Sequence, residues 1–414
     1  MRVLQVNTRH KFGGGDSTYA FAVGKQLRDK GHEVAYFAMK GKDNLPDPNE
    51  DLFVSEIDFK ALNGRKSLAT AWRTATRAIY SKEARGKFRM LLERFHPDVV
   101  HLHNIHAHIT PSILYETSIR KIPVVWTLHD YKLVCPNSHF LVDSSGTVCE
   151  ACGDGNFYHA AMKRCKKGSL AASLLAAIEA YVHRQLRISE KVYQLLCPSQ
   201  FLLRKMIEGG LPASRLRHLP YLLDDAAFND FAGMEGGCSG YGLFLGKVER
   251  LKGVHILCEA CRLAPNVRVV LAGRLDEGFR NEFERIRPPN VEYVGLQKPE
   301  GLKELLVGAL FTVLPSIWYE NQPFAILEGF AAGIPAVASD LGGMAELVGR
   351  DERGLLVPAG DAPALAAAMQ KMSSDTAFCY EAGMQALSYA KAQHSVSVHY
   401  DRLMDAYQAA QKAA

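Results

Sequence analysis

The sequence has no apolar run of roughly 18 residues, the length needed to cross a bilayer, so no membrane-spanning helix is expected. It has only nine cysteines among 414 residues, too few for a disulfide scaffold. It has no large excess of charge of one sign. The net charge is +5, short of what a dedicated nucleic-acid binder carries. No P-loop and no Asp-x-Asp metal motif occurs. The opening residues Met1 to Val6 turn polar at Asn7, with no signal core and no small-residue cleavage site. They read as a buried first strand, and a cytoplasmic protein is expected. Disorder is excluded as well, because 48% of the residues are hydrophobic.

What is present is a repeated alternation. Short apolar runs at Val3–Val6, Val34–Ala38, Val99–Leu102, Val124–Leu128 and Val192–Cys197 are separated by helical segments. A second set begins at Gly242–Leu245 and continues at Val267–Ala272, Val291–Val294, Leu310–Pro315 and Ala336–Ser339. Continuous apolar strands alternating with helices predict parallel sheets covered on both faces. Two sets predict two doubly wound domains facing a cleft. The expected boundaries are 1–218 for the first domain and 219–240 for the linker, of which Leu219 to Asp225 is the clearest part. The second domain is expected at 241–390 and a C-terminal helix at 391–414. Residues 388 to 414 read as one long helix, expected to pack back on the first domain.

Ligands of such sheets bind beyond the carboxyl ends of the strands, so the loops there matter most. Gly13-Gly14-Gly15 follows the first strand and opens a helix, where backbone can approach an anion. It misses the dinucleotide fingerprint, because Thr18 holds the third glycine position. In the second half, Gly246-Lys247-Val248-Glu249-Arg250-Leu251-Lys252-Gly253 carries two lysines spaced by five, suited to a diphosphate. Further on, Glu320 precedes a helix in which Asn321 or Gln322 is the expected cap and Pro323 the first residue. Glu328 then falls about a turn and a half inside, with Phe324, Ile326, Leu327 and Phe330 around it. Carboxylates accept hydrogen bonds from sugar and ribose hydroxyls, so Glu320 and Glu328 suit the two ends of a sugar nucleotide. Val294-Gly295 ends a strand where a base can meet backbone.

At these residues the sequence resembles the retaining glycosyltransferases of family four, with the two-Rossmann-domain GT-B fold. The family's E-x7-E motif matches Glu320 and Glu328, and its G-[RK]-x4-K-G motif matches Gly246 to Gly253. The glycine loop matches Gly13 to Gly15, and the family's histidine matches His129 in Thr127-Leu128-His129-Asp130. Gly342-Gly343-Met344-Ala345-Glu346 is similar to a later family turn. The resemblance implies that Glu320 contacts the transferred sugar and that Glu328 binds the ribose. It implies that Lys247 and Lys252 hold the diphosphate and that His129 lies near the donor sugar. Gly14, Gly15, Asn321, Gln322, Pro323 and Phe324 would line the donor. Arg274 departs from the family, which usually has a small or acidic residue there. The implied reaction is transfer of a hexose-type sugar from a UDP- or GDP-sugar to a glycan or lipid-linked acceptor. It needs no catalytic metal. No carboxylate stands out as a nucleophile, which favours front-face transfer over double displacement. Lys252→Ala is expected to lower the rate far more than the stability. A nucleotide-sugar epimerase or hydrolase keeps the same fold. A zinc-containing nucleic-acid or lipid binder leaves Glu320, Glu328 and the lysine loop unexplained.

Cys135, Cys149, Cys152 and Cys165 stand in the spacing C-x13-C-x2-C-x12-C within an insertion at about 135–165. That spacing in a polar stretch suits tetrahedral structural zinc, with free thiols as the alternative. Cys258 and Cys261 have no partner pair and read as core. His101, His103, His106 and His108 crowd one strand end, with His103 and Asn104 at the cleft mouth toward an acceptor. Residues 60–96 carry ten Lys or Arg against two Glu, and 163–187 six against one. These stretches suit an anionic membrane surface on the inner face of the cell membrane, or simply solvated helix faces.

Overall fold

The computed structural model describes residues 1–57, 68–229 and 240–413. The first part of the chain forms a six-stranded parallel sheet from β1 (Arg2–Val6), β2 (Glu33–Phe37), β3 (Val99–Leu102), β4 (Val124–Thr127), β7 (Gln194–Cys197) and β8 (Leu216–His218). A two-residue hairpin, β5 (Leu141–Val142) with β6 (Thr147–Val148), stands apart from it. The second sheet contains β9 (Tyr241–Leu245), β10 (Val269–Ala272), β11 (Val291–Gly295), β12 (Ala309–Leu314), β13 (Ala336–Ser339) and β14 (Gly354–Val357). The strand orders are β2-β1-β3-β4-β7-β8 and β11-β10-β9-β12-β13-β14. These are the same winding, so the two sheets repeat one architecture. It is the expected pair of doubly wound domains, the GT-B fold.

The central strands are apolar on both faces because helices cover both. Val3, Leu4, Val6, Val99, Val100 and Leu102 have no exposed surface. Each such side chain contributes about 1.5–3 kcal/mol by leaving water.

The expected single C-terminal helix is two. Helix Thr376–His394 stops at Ser395, whose extended backbone (φ −64°, ψ 152°) starts a second helix, Val396–Ala413. The break has local support. The His394 carbonyl accepts from the Leu223 amide, and His394 Nδ1 bonds the Tyr221 carbonyl at 2.7 Å. The bend returns the chain to the first sheet, as expected, where His399 bonds the Tyr19 hydroxyl and Tyr407 bonds His101. Part of the linker, residues 230–239, lies outside the described residues.

Candidate active site

In each sheet the strand order reverses beside the first strand, between β1 and β3 and between β9 and β12. Loops on the two sides of such a switch point diverge and leave a crevice. Beyond β9 lies Gly246 to Gly253, and beyond β12 lies Pro315 to Pro323. Close approach of backbone explains the glycines here. A Cβ on Gly273, at φ +149°, would lie 1.8 Å from the Gly246 carbonyl oxygen. One on Gly253, at φ +73°, would lie 1.8 Å from the Pro315 oxygen. The carboxyl ends of β9, β10 and β11 therefore form a rim of bare backbone.

The two lysines singled out by sequence lie on the segment beyond β9, and the two glutamates on the segment beyond β12. Lys252 Nζ donates to Glu320 Oε1 at 2.6 Å, and the Ser316 hydroxyl donates to the same oxygen at 2.8 Å. Glu320 is buried. Lys252 also lies 5.5 Å from the centre of the Trp318 ring. Lys247 bonds Asp276 at 2.7 Å and pairs with Glu249. Burial works against the Lys247 charge, but these hydrogen bonds outweigh it and raise the pKa. Glu328, inside helix Phe324–Ala331, keeps partial solvent contact. Burial nevertheless pushes its carboxyl up to about 7, with no cation nearby to offset it.

Helix Phe324–Ala331 is capped differently from the expectation. Its cap is Pro323, with no side-chain cap bond. Asn321 and Gln322 face the first sheet instead. Asn321 donates to the Leu128 carbonyl at 3.1 Å and accepts from the Ser199 hydroxyl at 2.8 Å. Gln322 Oε1 accepts from the Tyr221 amide at 2.6 Å. Sequence spacing shows a polar pair before a proline and carries no sign of a partner more than a hundred residues away. The Gly342–Gly343 turn holds this loop. The Gly343 amide donates to the Glu320 carbonyl at 2.8 Å, and a Cβ there would meet the Asn321 oxygen at 1.6 Å. Glu346 reaches across to the Gln200 and Phe201 amides, the first turn of helix Gln200–Glu208.

From the first sheet, Gly15 lies against Phe324, with a Cβ 3.5 Å from the ring, so the glycine loop faces the start of the Glu328 helix. Gly14 caps the first helix with extended backbone. His129 is fully engaged within the protein. Its Nδ1 meets the Tyr221 hydroxyl at 2.7 Å and its Nε2 meets His103 Nδ1 at 3.1 Å. His103 Nε2 in turn bonds Gln5 Oε1. With that amide oxygen as acceptor, the protons order themselves along the chain. His103 carries its proton on Nε2, His129 donates from Nε2, and Tyr221 donates to His129 Nδ1. Burial, opposed by Asp16 and Asp130, lowers the His129 pKa to about 4, so the ring is neutral at pH 7.

Tyr221 was hidden in a stretch read only as linker. Its ring stacks on Phe324 with centroids 5.1 Å apart and planes 2° from parallel, and also on His129. Tyr221→Phe keeps the stack and removes one donor. The buried His129 acceptor is then left unpaired, at a cost of about 1–3 kcal/mol. Urea unfolding should show that loss, and the nitrogen-15 shifts of the His129 ring should move toward a tautomer mixture.

The four cysteines of the insertion carry free thiols, Cys135, Cys152 and Cys165 buried and Cys149 half-buried. Cys152 and Cys165 pack with Phe157, Ala160, Ala177 and Ala180. Burial, reinforced by the neighbouring cysteines, raises the Cys152 thiol to about 12 and Cys165 to about 11. Among the described residues no group of three or more His, Cys, Asp or Glu is disposed to hold a metal ion. The zinc expectation for Cys135, Cys149, Cys152 and Cys165 therefore finds no support in this arrangement. The same holds for the histidines. His101 is spent on Tyr407 and Thr127, and His103 on His129 and Gln5. Cys258 and Cys261 are core residues, as expected. Of the basic stretch 60–96, residues 60–67 lie outside the described residues, as do the side chains of 68–72. No described helix is long and apolar enough to cross a membrane.

Comparison with known proteins agrees with this architecture. The family model described as Glycosyltransferase Family 4 matches residues 13–226, and that described as Glycosyl transferases group 1 matches residues 240–375. The putative colanic acid biosynthesis glycosyltransferase WcaL of Escherichia coli K12 is 34% identical over 139 residues, 30% of this chain and 34% of that protein. The amylovoran biosynthesis glycosyltransferase AmsK of Erwinia amylovora is 26% identical over 175 residues, 39% of this chain and 43% of that one. The matches thus span about a third to two fifths of these relatives. Among solved structures, the sucrose-phosphate synthase of Thermosynechococcus elongatus has a TM-score of 0.70 at 18% identity, covering 100% of both chains. HepE of Anabaena, solved with UDP, has a TM-score of 0.65 at 16% identity, covering 99% of this chain and 100% of that one. With one family model spanning more than half of its 414 residues, the chain belongs to glycosyltransferase family 4.

Proposed function

We propose that this protein is a retaining glycosyltransferase. It moves a hexose-type sugar from a nucleotide-sugar donor to a glycan or lipid-linked acceptor, in the building of a surface polysaccharide or glycolipid. The observation that carries the reading is the pairing of Lys252 with Glu320 across the loops beyond β9 and β12, with Glu328 in the helix that follows the second loop. Relatives named for colanic acid and amylovoran biosynthesis support the pathway class. HepE, solved with UDP, supports a UDP donor.

In this reading Glu328 accepts from the ribose hydroxyls and the backbone rim at Gly246, Gly273 and Gly295 receives the base. Lys247 and Lys252 exchange their carboxylate partners for the diphosphate. Glu320, released from Lys252, accepts from a hydroxyl of the transferred sugar. The bond from the anomeric carbon to the diphosphate oxygen breaks through an oxocarbenium-like state. The acceptor oxygen bonds the same face, and its proton passes to the leaving diphosphate. The two lysines stabilise the charge that develops there. No protein nucleophile takes part and no metal is required. His129, neutral and with both ring nitrogens hydrogen-bonded within the protein, positions the cleft wall and transfers no proton.

A panel of UDP-, GDP- and ADP-sugars read by thermal shift tests this reading. Binding to the native state alone raises the melting temperature by mass action. One donor is expected to stabilise the protein by several degrees, and Glu328→Ala should remove most of that shift. No shift with any member of the panel, in folded protein, would overturn it.

A further inference from the structure

Helix Leu170–Gln185 carries its apolar residues on the wrong side for a soluble core. Its buried face is Ser173, Ala176, Ala177, Glu179, Ala180 and His183, small or polar throughout. Its outer face presents Leu170, Leu174, Ile178 and Tyr181, which are 51%, 48%, 44% and 41% exposed. The spacing of four, four and three keeps these side chains on one stripe. Two neighbours from the insertion extend it. Met162 is 72% exposed and Tyr158 48%, and the Tyr158 amide donates to the Tyr181 hydroxyl, which fastens the two segments together. Scattered apolar residues on a surface mean little, but a contiguous stripe marks a contact.

Charge decides what kind. Exposed Lys163, Arg164 and Lys167 precede the stripe in the chain, and exposed Arg184 and Arg187 follow it, beside the cavity on the other face. From residue 163 to 187 the sole acid is Glu179, which is buried against Lys132 at 2.8 Å. An apolar stripe flanked in the chain by cations fits an interface whose interior is hydrocarbon and whose edge is anionic. We propose that this helix docks the protein on an anionic lipid surface, with Leu174, Ile178 and Tyr181 between the head groups and Lys163, Arg164 and Lys167 against the phosphates.

The opposite face of the same helix supports the assignment. Ala180 and His183 line a cavity of about 210 Å³ together with Lys132, His106 and Leu133. His106 and Leu133 also border the pocket that holds His103 and His129. His106 Nδ1 is buried there without a hydrogen-bond partner among the described residues. One face of this helix thus carries the apolar stripe, and the other lines a cavity that shares His106 and Leu133 with the pocket beside His129. This deepens the transfer reading and rests on it, because it names the acceptor as lipid-linked.

Sedimentation with vesicles tests the surface. The protein should pellet with phosphatidylcholine vesicles containing about a third phosphatidylglycerol, and far less with phosphatidylcholine alone. Leu174→Glu with Ile178→Glu alters only solvent-facing positions and should fold normally. It should weaken vesicle binding by about tenfold or more, since two inserted apolar chains become charged. Binding of UDP, measured in the same preparations, should not change. Three results overturn the inference: no pelleting of the wild type, equal pelleting of the variant, or a wild-type dimer that the variant dissolves. Absence of binding by every UDP-, GDP- and ADP-sugar in the wild type would instead strike the transfer reading and leave the vesicle result standing.

Discussion

Lys252→Ala is expected to weaken UDP binding by about ten- to a hundredfold, whereas Glu320→Gln, which removes the partner of the same ion pair, leaves UDP binding intact or tightens it. The asymmetry follows from what each side chain does once a diphosphate arrives. In the free protein Lys252 and Glu320 satisfy each other at 2.6 Å, with Ser316 as a further donor. Neutralising Glu320 releases Lys252 toward the phosphates at no electrostatic cost to the ligand. Deleting Lys252 takes away the cation and leaves a buried carboxylate beside the incoming negative charge. Transfer should nevertheless fall in both variants, by about a hundred- to a thousandfold for the lysine. The pair also sets stability. From the sequence alone, Lys252→Ala is expected to lower the rate far more than the stability. With Glu320 buried, the lysine is its main counter-charge, and breaking such a pair costs about 3–5 kcal/mol. The low end applies, because Ser316 still donates and Lys252 keeps some solvent contact. Calorimetric titration of both variants with UDP, beside urea unfolding, reads all of this. Equal losses of UDP affinity in the two variants would reduce the pair to a structural bond.

How far the sequence carried this site depends on the range of the interaction. Most sheet strands were legible because four or five consecutive apolar residues between helices leave no other economical placement. The last strand of each sheet was not. Leu216-Arg217-His218 is three residues long and mostly polar, and Gly354–Val357 has a neighbour on one side only. The hairpin at Leu141 and Thr147 pairs two residues with two, below any periodic signal. Glu320, Lys247 and Lys252 were legible because motif spacing places them on segments after strands, and Glu328 because it falls eight residues on, inside the next helix. The pairing of Lys252 with Glu320 and of Lys247 with Asp276 was not, since each joins segments far apart in the chain. Asn321 and Gln322 read as helix caps because capping is local, and their actual partners, Leu128, Ser199 and Tyr221, lie more than a hundred residues away on segments that follow strands of the other sheet. The break at Ser395 had no proline or glycine to announce it. It follows from the crossing of Tyr221 to Leu223 beneath His394, a tertiary contact overriding a helical sequence.

Glu328→Gln should produce a protein that is more stable than the wild type at pH 8 and that binds UDP about a hundredfold more weakly. The Glu328 carboxyl titrates at about 7 in the folded protein against an ordinary value of 4.5, because burial disfavours its charge. The native state therefore holds its proton more tightly than the unfolded chain. Its contribution to stability is highest below pH 4.5, falls as pH rises through the interval to about 7, and stays low above it. At about 1.4 kcal/mol per unit, the whole interval is worth at most about 3 kcal/mol, less in proportion to the partial solvent contact of the residue. Glutamine carries no charge at any pH and escapes the penalty. The variant should melt several degrees above the wild type at pH 8 and at nearly the same temperature near pH 4.5. Function runs the other way. A carboxylate accepting from two ribose hydroxyls contributes about 1.5–3 kcal/mol per bond, and an amide offers one weaker acceptor, so affinity should fall by about a hundredfold. The same bonds favour the ionised form, so wild-type UDP binding near pH 7 should release a fraction of a proton, visible as a dependence of binding heat on buffer ionisation. The glutamine variant should release none from this position. A variant stabilised at high pH with unchanged UDP affinity would make Glu328 a buried acid without a ribose to bind. One that loses both stability and affinity would mean that the charge is compensated in the native state. A strained acid at a ligand site, relieved only by its ligand, is the arrangement in which stability and binding trade against each other.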